Sequence, residues 1–176
     1  MRKSSRQAKD GFPGADHDHD SCVAEAMGKA AEVCAQRQVR LTPLRRRVLE
    51  VVWSSHKPMG AYDILGVLAG ERGSAAPPTV YRALDFLLEN GLVHRIESLN
   101  AFVGCTKPDH DHAWQFLICR ACGRAVEISE EALEKAIAGA AARTGFTIQR
   151  RTIELAGLCS ACREGQGQGN DGNTAR

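Results

Sequence analysis

Four of the seven cysteines in this 176-residue chain stand in two Cys-x2-Cys pairs, Cys119/Cys122 and Cys159/Cys162. Such a pair places two sulfurs on one edge of a tetrahedron, so two pairs supply the four thiolates of a closed structural zinc site. Residues 123–158 separate the pairs, a longer span than the roughly 15–20 residues of common zinc ribbons. A site built from them staples the end of its domain back to the beginning. The competing chemistry is redox, with each pair cycling between dithiol and disulfide; two pairs together fit a closed metal site better.

A second donor set is dispersed. His94, Cys105, His110, His112 and Glu127 offer imidazole, thiolate and carboxylate from three segments. Any one of them alone would be unremarkable. Mixed N, S and O donors that include a thiolate suit Zn(II), whereas iron sites more often lack the sulfur. His110 and His112 are rivals for one position. The run Asp16-His17-Asp18-His19-Asp20 reads as weak, adventitious metal contact from a polar arm. A zinc hydrolase would need an open position and a general base, and neither an H-E-x-x-H nor a deaminase-type signature occurs. The chain is therefore expected not to be an enzyme and to take no small-molecule substrate.

The elements that must position these donors follow from periodicity. Residues 1–20 read as a disordered arm. A helix is expected over 21–36, with Val23, Met27, Ala30, Ala31 and Cys34 on one face. Thr42 as N-cap and Pro43 at the first position open the next helix. A third spans about 61–69. Pro77-Pro78 begin a fourth, which ends at Asn90-Gly91 and turns Val80, Ala83, Leu84, Leu87 and Leu88 inward. A hairpin, 92–97 and 101–105, closes this unit as a winged helix. Tyr81 and Arg82 then face out near the start of the fourth helix, the geometry that enters a DNA major groove. Arg82 suits guanine O6/N7, and Tyr81 a thymine methyl or a phosphate. Thr79 beside them and Arg45 complete the expected DNA-facing set.

After the hinge, which begins at Cys105 where the two expected domains join, strands are expected at 114–118 and 124–128. A helix capped by Ser129 follows, then a strand at 146–155, a second cysteine knuckle and a disordered tail from Glu164. The fold class is thus α+β. A winged-helix DNA-binding domain at 21–104 precedes a small α/β dimerisation and metal-binding domain at 105–163, with arms 1–20 and 164–176 outside both. The second domain is small enough to need a metal clip and a partner surface.

Charge is nearly balanced, 23 basic against 21 acidic residues, so total charge announces no polyanion partner. Distribution does: five arginines and no acid lie between Arg37 and Arg47, either a DNA-steering patch or a solvated helix face. There is no apolar run of membrane-spanning length and no signal-peptide core. The protein is expected in the cytoplasm, where its thiols stay reduced, and without a membrane partner.

The motifs C-A-Q-R-Q-V-R-L-T-P at 34–43, A-Y-D-I-L at 61–65, P-P-T-V-Y-R-A-L-D-F-L-L at 77–88, H-R-I-E-S at 94–98, F-L-I-C-R-A-C-G at 116–123 and G-L-C-S-A-C at 157–162 resemble the ferric-uptake-regulator family, and within it the zinc-sensing branch. The resemblance implies a homodimeric repressor of zinc-uptake genes that binds palindromic operator DNA when loaded with zinc, two ions per monomer. It further implies that Tyr81 and Arg82 read DNA and that Cys119, Cys122, Cys159 and Cys162 hold structural zinc. His94, Cys105, His112 and Glu127 would form the regulatory site, His112 being preferred over His110 by its offset from Cys119. Iron and peroxide sensors of the family place a ligand histidine at the position of Pro58, and His56 lies two residues away. An iron- or manganese-sensing member and a thiol redox sensor are the alternatives.

Overall fold

A computed structural model describes residues 12, 18–72, 76–109 and 114–167. Four helices come first: α1 (His19–Gln36), α2 (Pro43–Trp53), α3 (Ala61–Arg72) and α4 (Pro77–Glu89). Helix α1 begins two residues earlier than its periodicity suggests, because Asp18 accepts a hydrogen bond from the Ser21 N–H and caps the free amides. The last residues of the expected arm therefore belong to the helix. Thr42 caps α2 through the Arg45 N–H, with Pro43 at the first position. Past α4, Gly91 takes a positive φ of 64°, the left-handed backbone that ends a helix cheaply only at glycine.

Val48, Leu49, Val51 and Val52 of α2 meet Val80, Ala83, Leu84 and Leu87 of α4 in one core with Ile64, Leu92 and Phe102. The wing is a three-stranded antiparallel sheet in the order β1 (Met59–Gly60), β3 (Ala101–Gly104), β2 (Val93–Ile96). Strand β1 is too short to leave a sequence signature. A 3-10 turn at Glu97–Leu99 joins β2 to β3, with Asn100 at φ 47°.

The second unit is a sheet in the order β5 (Ala125–Ile128), β4 (Trp114–Cys119), β6 (Thr152–Gly157), in which β4 and β6 run parallel. Helix α5 (Glu131–Arg143) crosses between β5 and β6, and α6 (Ser160–Gly167) follows the last strand. Three expectations are corrected. Ser129 does not cap α5; the N-cap is Glu130, without a side-chain hydrogen bond. The strand expected over 146–155 forms only at 152–157, because β6 pairs along β4 and β4 is six residues long. The second knuckle opens a helix, so residues 164–167 continue α6 rather than an irregular tail.

The two units meet through a small apolar cluster, Ile96 and Val103 of the wing against Phe116, Ile118, Ala125 and Trp114. Polar ties surround it: the Ala125 N–H donates to the His56 carbonyl at 3.1 Å, and Lys29 reaches the Thr106 carbonyl at 3.4 Å. At the end of β3, Gly104 lies so close to the Trp53 ring that a Cβ there would sit 2.1 Å from its carbons. Gly104→Ala must therefore displace the partly buried Trp53 indole, a form of overpacking that costs about 1–3 kcal/mol. Chemical denaturation should show that loss; an unchanged midpoint would mean that the ring moves aside freely.

Candidate metal centres and DNA-facing helix

The two Cys-x2-Cys pairs converge. Cys119 ends β4, Cys122 sits in the turn before β5, and Cys159 and Cys162 straddle the start of α6. Their four sulfurs lie within 4.8 Å of one another, with Cys122 and Cys159 at 3.9 Å. Thiolates around a tetrahedral zinc are roughly 3.8 Å apart, so the arrangement fits that ion, and the four residues would hold it as a closed site. The parallel pairing of β4 with β6, Cys119 opposite Gly157, brings the distant pairs together.

Electrostatics within this cluster is uneven. Backbone N–H groups of Cys122, Cys159 and Ala121 hold the Cys119 thiol down to about 6; the Cys159 N–H to sulfur distance is 3.4 Å. Cys162 is pushed up to about 12 by hydrogen bonding to Cys159, by burial and by its other sulfur neighbours. A lowered thiol pKa favours the folded state above the ordinary thiol range, and that contribution disappears as pH falls through about 6.

The second donor set also converges, across the boundary between the units. His94 lies on β2 opposite Val103 of β3. Cys105 follows β3 and is pinned by its N–H to the Leu92 carbonyl at 3.0 Å. Glu127 comes from β5. One ligand atom from each lies within 4.8 Å of the others, and His94 Nε2 stands 3.2 Å from Glu127 Oε1. The imidazole is 1% exposed and the carboxylate side chain 5%, between the rings of Trp114 and Phe116, 4.6 and 5.5 Å from His94. Burial, followed by the nearby Glu127 charge, pushes the Cys105 thiol far above its ordinary value. A buried carboxylate beside a buried thiol is costly without a cation, and three such donors around one point fit a divalent metal. His110 and His112 lie outside the described residues.

Thr106 is a participant that the sequence did not reveal. Its N–H and hydroxyl donate to Glu127 Oε2 at 3.0 and 2.9 Å, leaving Oε1 turned toward His94. The only local signal is its adjacency to Cys105.

On α4, Thr79, Tyr81 and Arg82 are exposed near the helix start, as periodicity requires. The arginine cluster is less free than its composition implies. Arg46 and Arg47 pair with Glu50, and Arg47 also with Glu71; Arg37 donates to the Asn90 carbonyl. Arg45 donates to the Arg40 carbonyl at 2.7 Å and lies 3.6 Å over the Phe86 ring. Tyr62, 77% exposed on the first turn of α3, adds an aromatic surface that the sequence reading left without a role.

Residues 36–156 match the model of the ferric uptake regulator family. The chain is 44% identical to the zinc uptake regulation protein of Escherichia coli strain K12 over 143 residues, covering 80% of this chain and 82% of that protein. It is 32% identical to the peroxide operon regulator of Bacillus subtilis, covering 80% of this chain and 95% of that one. Among solved structures, a zinc uptake regulator complexed with zinc and DNA aligns with a TM-score of 0.77 at 42% identity, covering 82% of this chain and 97% of that one. Holo XcZur aligns with a TM-score of 0.71 at 41% identity, covering 82% and 99%.

The low Cys119 value has a measurable consequence. In a Cys105→Ser background, zinc loading at neutral pH should release fewer protons than it does below about pH 6, where Cys119 regains its proton, and affinity should fall in the same direction. Calorimetry in buffers of different ionisation enthalpy reads the count; an equal count on both sides of pH 6 would show that Cys119 is not depressed.

Proposed function

The chain belongs to the ferric uptake regulator family, and from that premise we propose that it is a zinc-responsive transcriptional repressor acting as a homodimer on palindromic operator DNA. The observation that carries this reading is the buried donor set that joins the wing to the second sheet, His94 and Cys105 from one side and Glu127 from the other. Two zinc ions per monomer are assigned. One belongs to the four-cysteine cluster, and one to His94, Cys105 and Glu127, with His112 as the fourth ligand. The genes it controls are those of zinc uptake.

The residues divide the work. Zinc, when bound, supplies a positive charge shared by donors from both units and so favours the arrangement in which they meet. His94 rides on the wing, so its place against Glu127 sets the angle at which α4 is presented. Thr106 holds Glu127 with one oxygen free. A mostly open population becomes mostly closed for about 5.5 kcal/mol of differential binding, and by reciprocity DNA tightens zinc binding. Two recognition helices can read a palindrome only when they lie about one DNA turn apart, roughly 34 Å. Tyr81 and Arg82, with Thr79 and Arg45, are the assigned DNA contacts.

Homodimerisation is supported by the second unit's open face. Helix α5 has no buried residue among those described, and Phe146 and Leu155 are 67% and 50% exposed. An apolar surface of this kind on a small domain calls for a partner, and a second copy supplies it.

The mixed donor set with one sulfur favours zinc over iron or manganese. A DNA-binding titration at buffered free zinc, repeated with iron and manganese, should show tight operator binding with zinc alone; equal response to iron would replace this reading by an iron sensor. Cys105→Ser should keep fold and dimer yet lose zinc-dependent binding, so retained zinc response would remove the hinge from the switch. Arg82→Ala should weaken specific binding by about 1–3 kcal/mol; unchanged affinity would take it out of the readout.

A further inference from the structure

The second sheet meets the wing with two carboxylates, and the regulatory donor set uses only one. Glu127 of β5 and Glu154 of β6 both pair with Phe116 of the central strand β4. Directly paired residues on neighbouring strands share a face, so the rung Glu127–Phe116–Glu154 turns both carboxylates toward the same side. Phe116, 1% exposed, anchors the rung in the apolar cluster with Ile96 of β2.

Glu127 points to the base of the wing. Glu154 grips its tip: Oε1 accepts from the Glu97 N–H at 2.7 Å and Oε2 from the Ser98 N–H at 3.1 Å. These two amides open the 3-10 turn and are the groups that a helical start leaves without internal acceptors. Arg150 adds a second tie, its guanidinium 3.1 Å from Glu97 Oε1. Burial raises the Glu154 pKa, but hydrogen bonds from the Ser98 side chain and from the Glu97 and Ser98 backbone more than offset it, and the net shift is downward. The carboxylate form is therefore the one that the wing holds.

We propose that Glu154 is a positioning residue that clamps the wing tip to β6 without metal, and so sets the free-zinc concentration at which the repressor closes. The clamp rests on the zinc-repressor reading above. Closure makes two sets of contacts on one rung, one depending on zinc and one not. The metal-independent set lowers the cost that zinc must cover. Loss of Glu154 raises that cost without touching a zinc ligand or a DNA-facing side chain. The signature is a split: the zinc midpoint moves while operator affinity at saturating zinc stays nearly the same. A residue that served only folding would instead lower thermal stability, or weaken saturated binding.

Two variants test it, Glu154→Ala and the near-isosteric Glu154→Gln, which keeps one acceptor and drops the charge. Hydrogen bonds to a charged, partly exposed carboxylate predict that the free-zinc midpoint for operator binding rises about three- to tenfold in Glu154→Ala and less in Glu154→Gln. Amide exchange at Glu97 and Ser98, followed in full-length protein lacking only the regulatory zinc, should speed up in the same order. Unchanged midpoints and unchanged exchange in both variants would overturn the clamp. Wild-type protein that ignores zinc but whose wing amides are released by Glu154→Ala would overturn the regulatory proposal through the functional reading, leaving the contact itself intact.

Discussion

A carboxylate and a thiol buried beside one imidazole form the constraint on which the rest of the molecule turns. His94 and Cys105 are buried and the Glu127 side chain is 5% exposed; they come from β2, the end of β3 and β5. Placing such groups together in an apolar setting is unfavourable unless a cation or a proton balances them. Burial, followed by the Glu127 charge, holds the Cys105 thiol far above its ordinary value, so the thiol keeps its proton and adds no second negative charge beside Glu127. In the zinc-responsive reading proposed above, a divalent ion would take the place of that proton, and because its donors are divided between two units it would favour the arrangement in which they meet.

The remaining architecture serves that division. In the proposed reading the four-cysteine cluster, when it holds its ion, ties α6 to the β4–β5 turn beside the sheet that carries Glu127. The parallel β4–β6 pairing makes the clip possible and also aligns Glu154 with Phe116 and Glu127 on one rung. Gly104 lets β3 pass close to Trp53 immediately before Cys105, which anchors the hinge thiol to the helical core.

Local signals were readable where a residue acts on its own neighbours. Thr42 and Pro43 mark the start of α2, and the spacing of Val80, Ala83, Leu84 and Leu87 marks the buried face of α4. The metal donors were readable because cysteine and histidine are uncommon and their spacing carries chemistry. Long-range features were not. Nothing near Arg150 or Phe146 says that β6 pairs only with the six residues of β4, so its start was placed too early. Thr106 and Glu154 act through hydrogen bonds to segments 21 and 56 or 57 residues away, and such contacts leave no periodic trace. The partners of the arginine cluster were hidden for the same reason, since Glu71 and Asn90 lie outside the run.

In the proposed reading, donors split between the wing and the second sheet convert zinc binding into a fixed spacing of recognition helices. The most direct measurement is the distance distribution between the two α4 helices of the homodimer, labelled at the exposed Asp85 through a cysteine-independent spin label, as free zinc is raised. A broad distribution is expected when only the four-cysteine cluster is loaded, narrowing to a single population near roughly 34 Å when the second site fills. A distribution that is the same with and without zinc in that site would contradict it.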